Sequence, residues 1–129
     1  LGMSDGVEAL LPGAPVGHIG LYRDEDTKRP VEYMVKLPPL KQRFIFIVDP
    51  MLATGHTSVK AADILVEKGA TPENIRLMVL VAAPEGVETF SNQYPQIPII
   101  AASCDNYLHE KAFIVPGLGD AGDRLFGTK

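Results

Sequence analysis

Asp49 stands where a run of five apolar residues ends, in the stretch F-I-F-I-V-D-P-M-L-A-T-G-H-T-S of residues 44–58. A short loop of small and hydroxylic residues follows it, and then a helical pattern begins. A carboxylate at the end of a strand can accept hydrogen bonds from sugar hydroxyls or ligate a metal. The unpaired N–H groups of a helix start suit a phosphate, and the helix dipole adds about 0.3–1 kcal/mol for a nearby anion. Gly55 lets the backbone curl around such a group, while Thr54, Thr57 and Ser58 offer hydroxyl donors. Side by side, the two features suit a ribose phosphate. By pattern alone, a plain strand-to-helix turn with Asp49 as turn former is equally open.

The elements that must position these groups follow from periodicity. Residues 44–48 are too continuously apolar for a half-exposed strand and read as a buried strand of a parallel sheet, whose carboxyl end is the expected ligand-binding edge. A helix over about residues 57–68 presents Val59, Ala62, Leu65 and Val66 on one face, with Gly69 as its left-handed terminator. Residues 71–74 form a capped turn, and residues 75–83 a second buried strand. A helix opens at Pro84-Glu85-Gly86 with Val87, Phe90 and Tyr94 inside, and residues 97–102 form a third buried strand. Strand, helix, strand, helix, strand with short links implies right-handed crossovers and a parallel sheet flanked by helices.

Upstream, Met3, Val7, Leu10 and Leu11 mark one face of a helix that Ser4 or Asp5 caps and Pro12-Gly13 ends. Residues 16–23 and 31–37 alternate as strands on either side of the charged turn D-E-D-T-K-R-P and predict a projecting hairpin. The tail over residues 113–127 is rich in glycine with two aspartates, and reads as a loop whose backbone approaches something closely.

The chain has 129 residues, 46% hydrophobic and 22% charged, an ordinary composition for one globular domain with its own core. A net charge of −4 gives no support to a nucleic-acid partner, and no apolar run approaches the roughly 20 residues of a membrane span. The single cysteine, Cys104, cannot form an internal disulfide, which fits a cytoplasmic setting. It has no basic neighbour in sequence and reads as a core residue rather than a nucleophile. His18 reads as structural, His109 as surface, and Glu85 as a first-turn acid favourable to its helix dipole.

D-P-M-L-A-T-G-H-T resembles the signature loop of phosphoribosyltransferases, and its D-P-M-L-A-T-G form resembles that of the uracil phosphoribosyltransferase family. Three further stretches agree: V-G-H-I-G-L-Y-R at residues 16–23, V-A-A-P-E-G at 81–86, and I-V-P-G-L-G-D-A-G-D-R-L-F-G-T at 114–128. The resemblance implies one phosphoribosyltransferase-like α/β domain over residues 1–129, with a hairpin arm and a C-terminal base-binding loop. It implies that the domain is N-terminally incomplete. It implies that Asp49 binds the ribose hydroxyls of phosphoribosyl pyrophosphate and that Ala53, Thr54, Gly55, His56 and Thr57 hold its 5′-phosphate, with Pro50, Met51 and Leu52 shaping the turn. It implies that Ile114, Gly119, Asp120 and Ala121 lie around uracil and that Asp120 also touches the sugar or its metal shell. Mg²⁺ travels with the pyrophosphate, and no membrane or nucleic-acid partner is implied.

The implied reaction transfers the phosphoribosyl group to uracil, giving UMP and pyrophosphate in pyrimidine salvage. A homodimer or higher homo-oligomer built through the hairpin arm, and activation by GTP, belong to the same resemblance. His56 departs from the family, which usually has a second glycine there. If the position needs a positive φ, histidine suits it less well. The family's chain continues upstream of Leu1 with a basic motif on the pyrophosphate side. The expectation is therefore weak binding and poor turnover by these residues alone, with apolar surface left uncovered. A regulatory protein on the same fold that binds nucleotide without efficient turnover, and a phosphoribosyltransferase for another base, stay open as alternatives.

Overall fold

A computed structural model gives the fold, and it describes residues 2–110 and 114–117. Helix α1 spans Gly2–Leu10, and a hairpin of β1 (His18–Arg23) and β2 (Pro30–Lys36) follows. Strand β3 (Ile45–Leu52), helix α2 (His56–Glu67), strand β4 (Ile75–Ala82), helix α3 (Pro84–Gln93) and strand β5 (Ile99–Cys104) form the body. Two short strands, β6 (Tyr107–Leu108) and β7 (Ile114–Val115), pair antiparallel beyond it. The tail reading as pure loop is thus corrected at Ile114 and Val115, which find a ladder partner in β6. Residues 118–127 lie outside the described part.

The sheet order is β3-β4-β5, all parallel, with Ile47 opposite Leu77 and Leu77 opposite Ile99. Both crossovers step the same way across the sheet. Right-handed connections therefore put α2 and α3 on the same face. That face holds the core: Ala62 and Leu65 of α2, Ile75, Leu77 and Val79 of β4, and Phe90 of α3. Ile45, Ile47 and Ile99 pack against it from the outer strands.

The same geometry corrects the reading of three equally buried strands. Only β4 is buried along most of its length, because it alone has a strand on each side. On the face away from α2 and α3, Phe44 is 75% exposed, Phe46 43%, Leu80 43% and Ile100 48%. Beside these, β3 is an edge strand that runs on through Asp49 and Pro50 to Leu52. Cys104, expected in the core, is exposed at the end of β5.

Local signals in the helices hold up better. Gly69, at φ +108°, ends α2 in a Schellman motif: the Ala70 N–H donates to the Leu65 carbonyl at 2.9 Å, and the Gly69 N–H to that of Val66 at 3.1 Å. Tyr94 closes α3 onto α2, its hydroxyl donating to the Asp63 carboxylate. Partial burial first, and that bond second, push the phenol up to about 12. Helix α1 starts at Gly2, so Ser4 and Asp5 lie in its first turn rather than capping it, and none of its residues is buried. In the hairpin, Asp24 Oδ1 accepts the N–H groups of Asp26 at 2.9 Å and Thr27 at 2.8 Å, which holds the charged tip in a turn.

Phe90 is fully buried and Phe46 is half exposed on the uncovered face, so truncating them separates the two faces energetically. Phe90→Ala is expected to cost about 3–5 kcal/mol and Phe46→Ala less than about 1 kcal/mol in urea unfolding. Equal costs would show that the second face is packed.

Candidate phosphate and base site

At the carboxyl end of β3 and the start of α2 the chain forms a partly open cavity of about 120 Å³. Its lining is Arg23, Asp49, Met51, Leu52, Ala53, Thr54, Gly55, Thr57 and Ser58. A larger open hollow of about 710 Å³ lies between β2 and the end of α2, among Tyr33, Met34, Leu37, Pro38, Leu40 and Lys68. It lies away from the strand ends and contains none of the loop residues. The smaller cavity is the one lined by the residues expected to do chemistry.

Gly55 makes the loop possible. It sits at φ +90° as the N-cap of α2, a left-handed conformation that L side chains rarely adopt. The first helical bond runs from the Val59 N–H to the Gly55 carbonyl at 2.9 Å, so the amides of His56, Thr57 and Ser58 precede the ladder. The positive φ falls on Gly55 and not on His56, which is the exposed first residue of α2. The histidine in place of the family's second glycine therefore carries no backbone strain. The helix begins one residue before the expected Thr57.

Thr54 Oγ1 accepts the His56 N–H at 3.4 Å and Arg23 Nη2 at 3.3 Å. With two donors on its oxygen, the hydroxyl proton is left to point at an anion. Arg23 is the residue that sequence reasoning missed. It belongs to one of the stretches that carry the resemblance, yet no spacing rule brings the end of β1 to a loop 31 residues later. The hairpin does so, and its register is irregular between Gly20 and Leu21, where Tyr33 of β2 is the extra residue.

Asp49 is half-buried, and its Oδ1 accepts the Met51 N–H at 3.1 Å. Desolvation pushes its carboxyl above the usual value of 3.8, and the Met51 amide offsets part of that. Of the other residues expected in the phosphate loop, Pro50 and His56 do not line the cavity. Ile114 is buried with Val81 and Ala83, and Met51 and Ala53 pack on that cluster. The stem of the tail thus abuts the loop that follows Asp49. Gly119, Asp120 and Ala121 lie outside the described residues.

The loop is wedged from the other side by the start of α3. A Cβ on Gly86 would stand 2.5 Å from the Ala53 carbonyl oxygen, and one on Gly55 would stand 2.8 Å from the Gly86 carbonyl oxygen. The Ala83 N–H donates to the Leu52 carbonyl at 2.8 Å. Glu85, at the first turn of α3, accepts the Leu108 N–H and so holds β6. Among the described residues no group of three or more His, Cys, Asp or Glu side chains could hold a metal ion.

Comparison with known proteins places this arrangement. The family model for uracil phosphoribosyltransferase matches residues 1–128. The chain belongs to the uracil phosphoribosyltransferase family. Among relatives in this family, the uracil phosphoribosyltransferase of Paraburkholderia phymatum is 56% identical over 129 residues, covering 100% of this chain and 59% of the relative. That of Streptococcus suis is 58% identical over 130 residues, covering 100% of this chain and 61% of the relative. The chain thus spans about three-fifths of the length of these curated relatives. A solved structure from Aquifex aeolicus superposes with a TM-score of 0.85 at 34% identity, over 95% of this chain and 58% of that one. A purine phosphoribosyltransferase from Pyrococcus horikoshii, at 20% identity and a TM-score of 0.60, covers 78% of this chain and 63% of its own; it shares the fold. The fold is phosphoribosyltransferase-like, as the sequence predicts.

Two expectations follow from the geometry of this family loop. Gly86→Ala drives a methyl into backbone carbonyl oxygens and is expected to cost about 1–3 kcal/mol, read as a lower urea midpoint. Asp49 has a folded pKa above its unfolded one, so its contribution to stability is greatest at low pH and is lost as pH rises through that range. Asp49→Asn is therefore expected to raise the melting temperature near pH 7 and to lose that advantage near pH 3, in thermal melts at both. A melting temperature lowered equally at both pH values contradicts the burial argument.

Proposed function

We propose that this chain carries a site for transferring the phosphoribosyl group of phosphoribosyl pyrophosphate to uracil, giving UMP and pyrophosphate. The observation that carries the reading is the cavity in which Asp49, the Gly55 loop and Arg23 converge, with the Ile114 stem packed beside it. Asp49 accepts hydrogen bonds from the ribose hydroxyls. The amides and hydroxyls of Ala53 to Thr57 hold the 5′-phosphate, and Arg23 supplies the positive charge that an overall charge of −4 would otherwise deny an anion. Pro50, Met51 and Leu52 shape the turn, and the His56 side chain stands outside the cavity. Ile114, Gly119, Asp120 and Ala121 surround the base, with Asp120 also near the sugar.

Bond exchange at C1 needs no protein nucleophile. N1 of uracil bonds to C1 and gives up its proton to solvent as the C1–O bond to pyrophosphate breaks, and positive charge builds on the ribose in an oxocarbenium-like transition state. The residues contribute alignment of base and sugar, exclusion of water, and a carboxylate near the ribose. Among the described residues no cluster of acids surrounds Asp49, so this donor set would fit Mg²⁺ as an ion shared with the ligand. When bound, Mg²⁺ neutralises charge on the leaving pyrophosphate. A homodimer through the hairpin, where the exposed rings of Tyr22 and Tyr33 meet at a tilt, and activation by GTP belong to the same reading on the strength of family resemblance.

Titration of the 129-residue chain with ribose 5-phosphate, and then with uracil, tests the reading. Binding is expected, with affinity for ribose 5-phosphate falling at least about tenfold in Arg23→Ala and Asp49→Asn, the usual effect of removing a hydrogen bond to a charged group. Slow UMP formation from phosphoribosyl pyrophosphate is expected to favour uracil over hypoxanthine and orotate. Preference for either of those bases overturns the assignment.

A further inference from the structure

The stem of the base loop hangs on one carboxylate. Asp105 directly follows β5, and its own N–H donates to the Ala82 carbonyl at 2.8 Å, which ties it to the end of the central strand. Both oxygens of its side chain are used. The Gly117 N–H donates to Oδ2 at 2.8 Å, and the Ser103 hydroxyl donates to Oδ1 at 3.0 Å. Next to it the Asn106 N–H donates to the Val115 carbonyl at 2.8 Å, where β6 and β7 come together.

Closing that hairpin needs only the backbone bonds. The Asp105 side chain reaches further, to Gly117, whose φ of +46° turns the chain away from β7. From Gly117 the sequence leads, two residues on, to Gly119, Asp120 and Ala121. At the other end Ile114 is buried against Val81 and Ala83, and Glu85 holds the partner strand through the Leu108 N–H. The stem is therefore fixed to β4, β5 and α3, the elements that also wedge the phosphate loop.

We propose that Asp105 is a positioning residue for base recognition. It sets the direction in which the chain leaves the stem at Gly117, from which the sequence continues to Gly119, Asp120 and Ala121. The proposal rests on the uracil reading above. A loop that reads a base with backbone groups must be held to about 0.5 Å, and a charge-assisted bond at its root is a strong single constraint. Asn at this position preserves the geometry: its carbonyl accepts the Gly117 N–H while its amide donates to Ser103 Oγ. Ala removes both bonds.

The test compares the wild-type chain with Asp105→Ala and Asp105→Asn by amide hydrogen exchange at Gly117 and by titration with ribose 5-phosphate and uracil. In Asp105→Ala, Gly117 exchange is expected to speed up, and uracil affinity to fall, by about tenfold or more, with ribose 5-phosphate affinity unchanged within about twofold. Asp105→Asn is expected to track the wild type in all three. Unchanged Gly117 exchange in Asp105→Ala, parallel loss of both affinities, or failure of Asn to rescue overturns the proposal. A wild-type chain that prefers another base defeats the uracil reading alone, and Asp105 is then judged on that base's affinity with Gly117 exchange. A wild-type chain that takes no base defeats both.

Discussion

Backbone meets backbone where the loop after β3 crosses the start of α3, and most of the molecule is arranged around that contact. Gly55 and Gly86 leave no room for a Cβ on either side, and the Ala83 N–H ties the two segments through the Leu52 carbonyl. Parallel neighbours end at the same level, so the segments leaving β3 and β4 must pass each other over one sheet edge. Without side chains there, α3 settles low enough to bury Phe90 beneath it and to reach Asp63 of α2 with Tyr94. One crowded junction thereby sets both helices and both loops.

Electrostatically the site runs against the grain of the fold. Asp49 loses solvation where it stands and recovers one amide in exchange, from Met51. A fold selected for stability alone would place a neutral residue there. Local conflict of this sort marks places kept for another reason. Arg23 has the complementary character: it is exposed, contributed by an arm outside the three-stranded sheet, and directed at the loop hydroxyl of Thr54. A net-negative protein needs its cations at chosen points to hold a phosphate.

Much of this was legible in the sequence because it is written locally. Strand and helix periodicities located the β3-to-β5 unit, and Gly69 marked the end of α2 because few other residues take its conformation. Asp49 was expected where the strand ends, yet β3 runs three residues past it to Leu52. What escaped was set by sequence-distant geometry. Arg23 reaches Thr54 only through the hairpin, and Asp105 reaches Gly117 only through the β6–β7 stem. Continuous apolar runs were read as burial on both faces, yet they report only that both faces are apolar. The handedness of two crossovers in the same direction decides which face α2 and α3 cover. Pro50 was the overlooked clue, since a proline inside a strand points to an edge.

That proline also divides β3 into two unlike halves. The ladder to β4 skips that position: Asp49 lies opposite Val79 and Met51 opposite Val81, with no pair between them. An incoming strand from another molecule would meet an irregular backbone near the cavity. Along residues 45–48, which include the exposed ring of Phe46 and follow that of Phe44, the ladder is unbroken. Stickiness and ligand chemistry thus occupy opposite ends of one strand, and changes that improve solubility at the first end leave the second untouched.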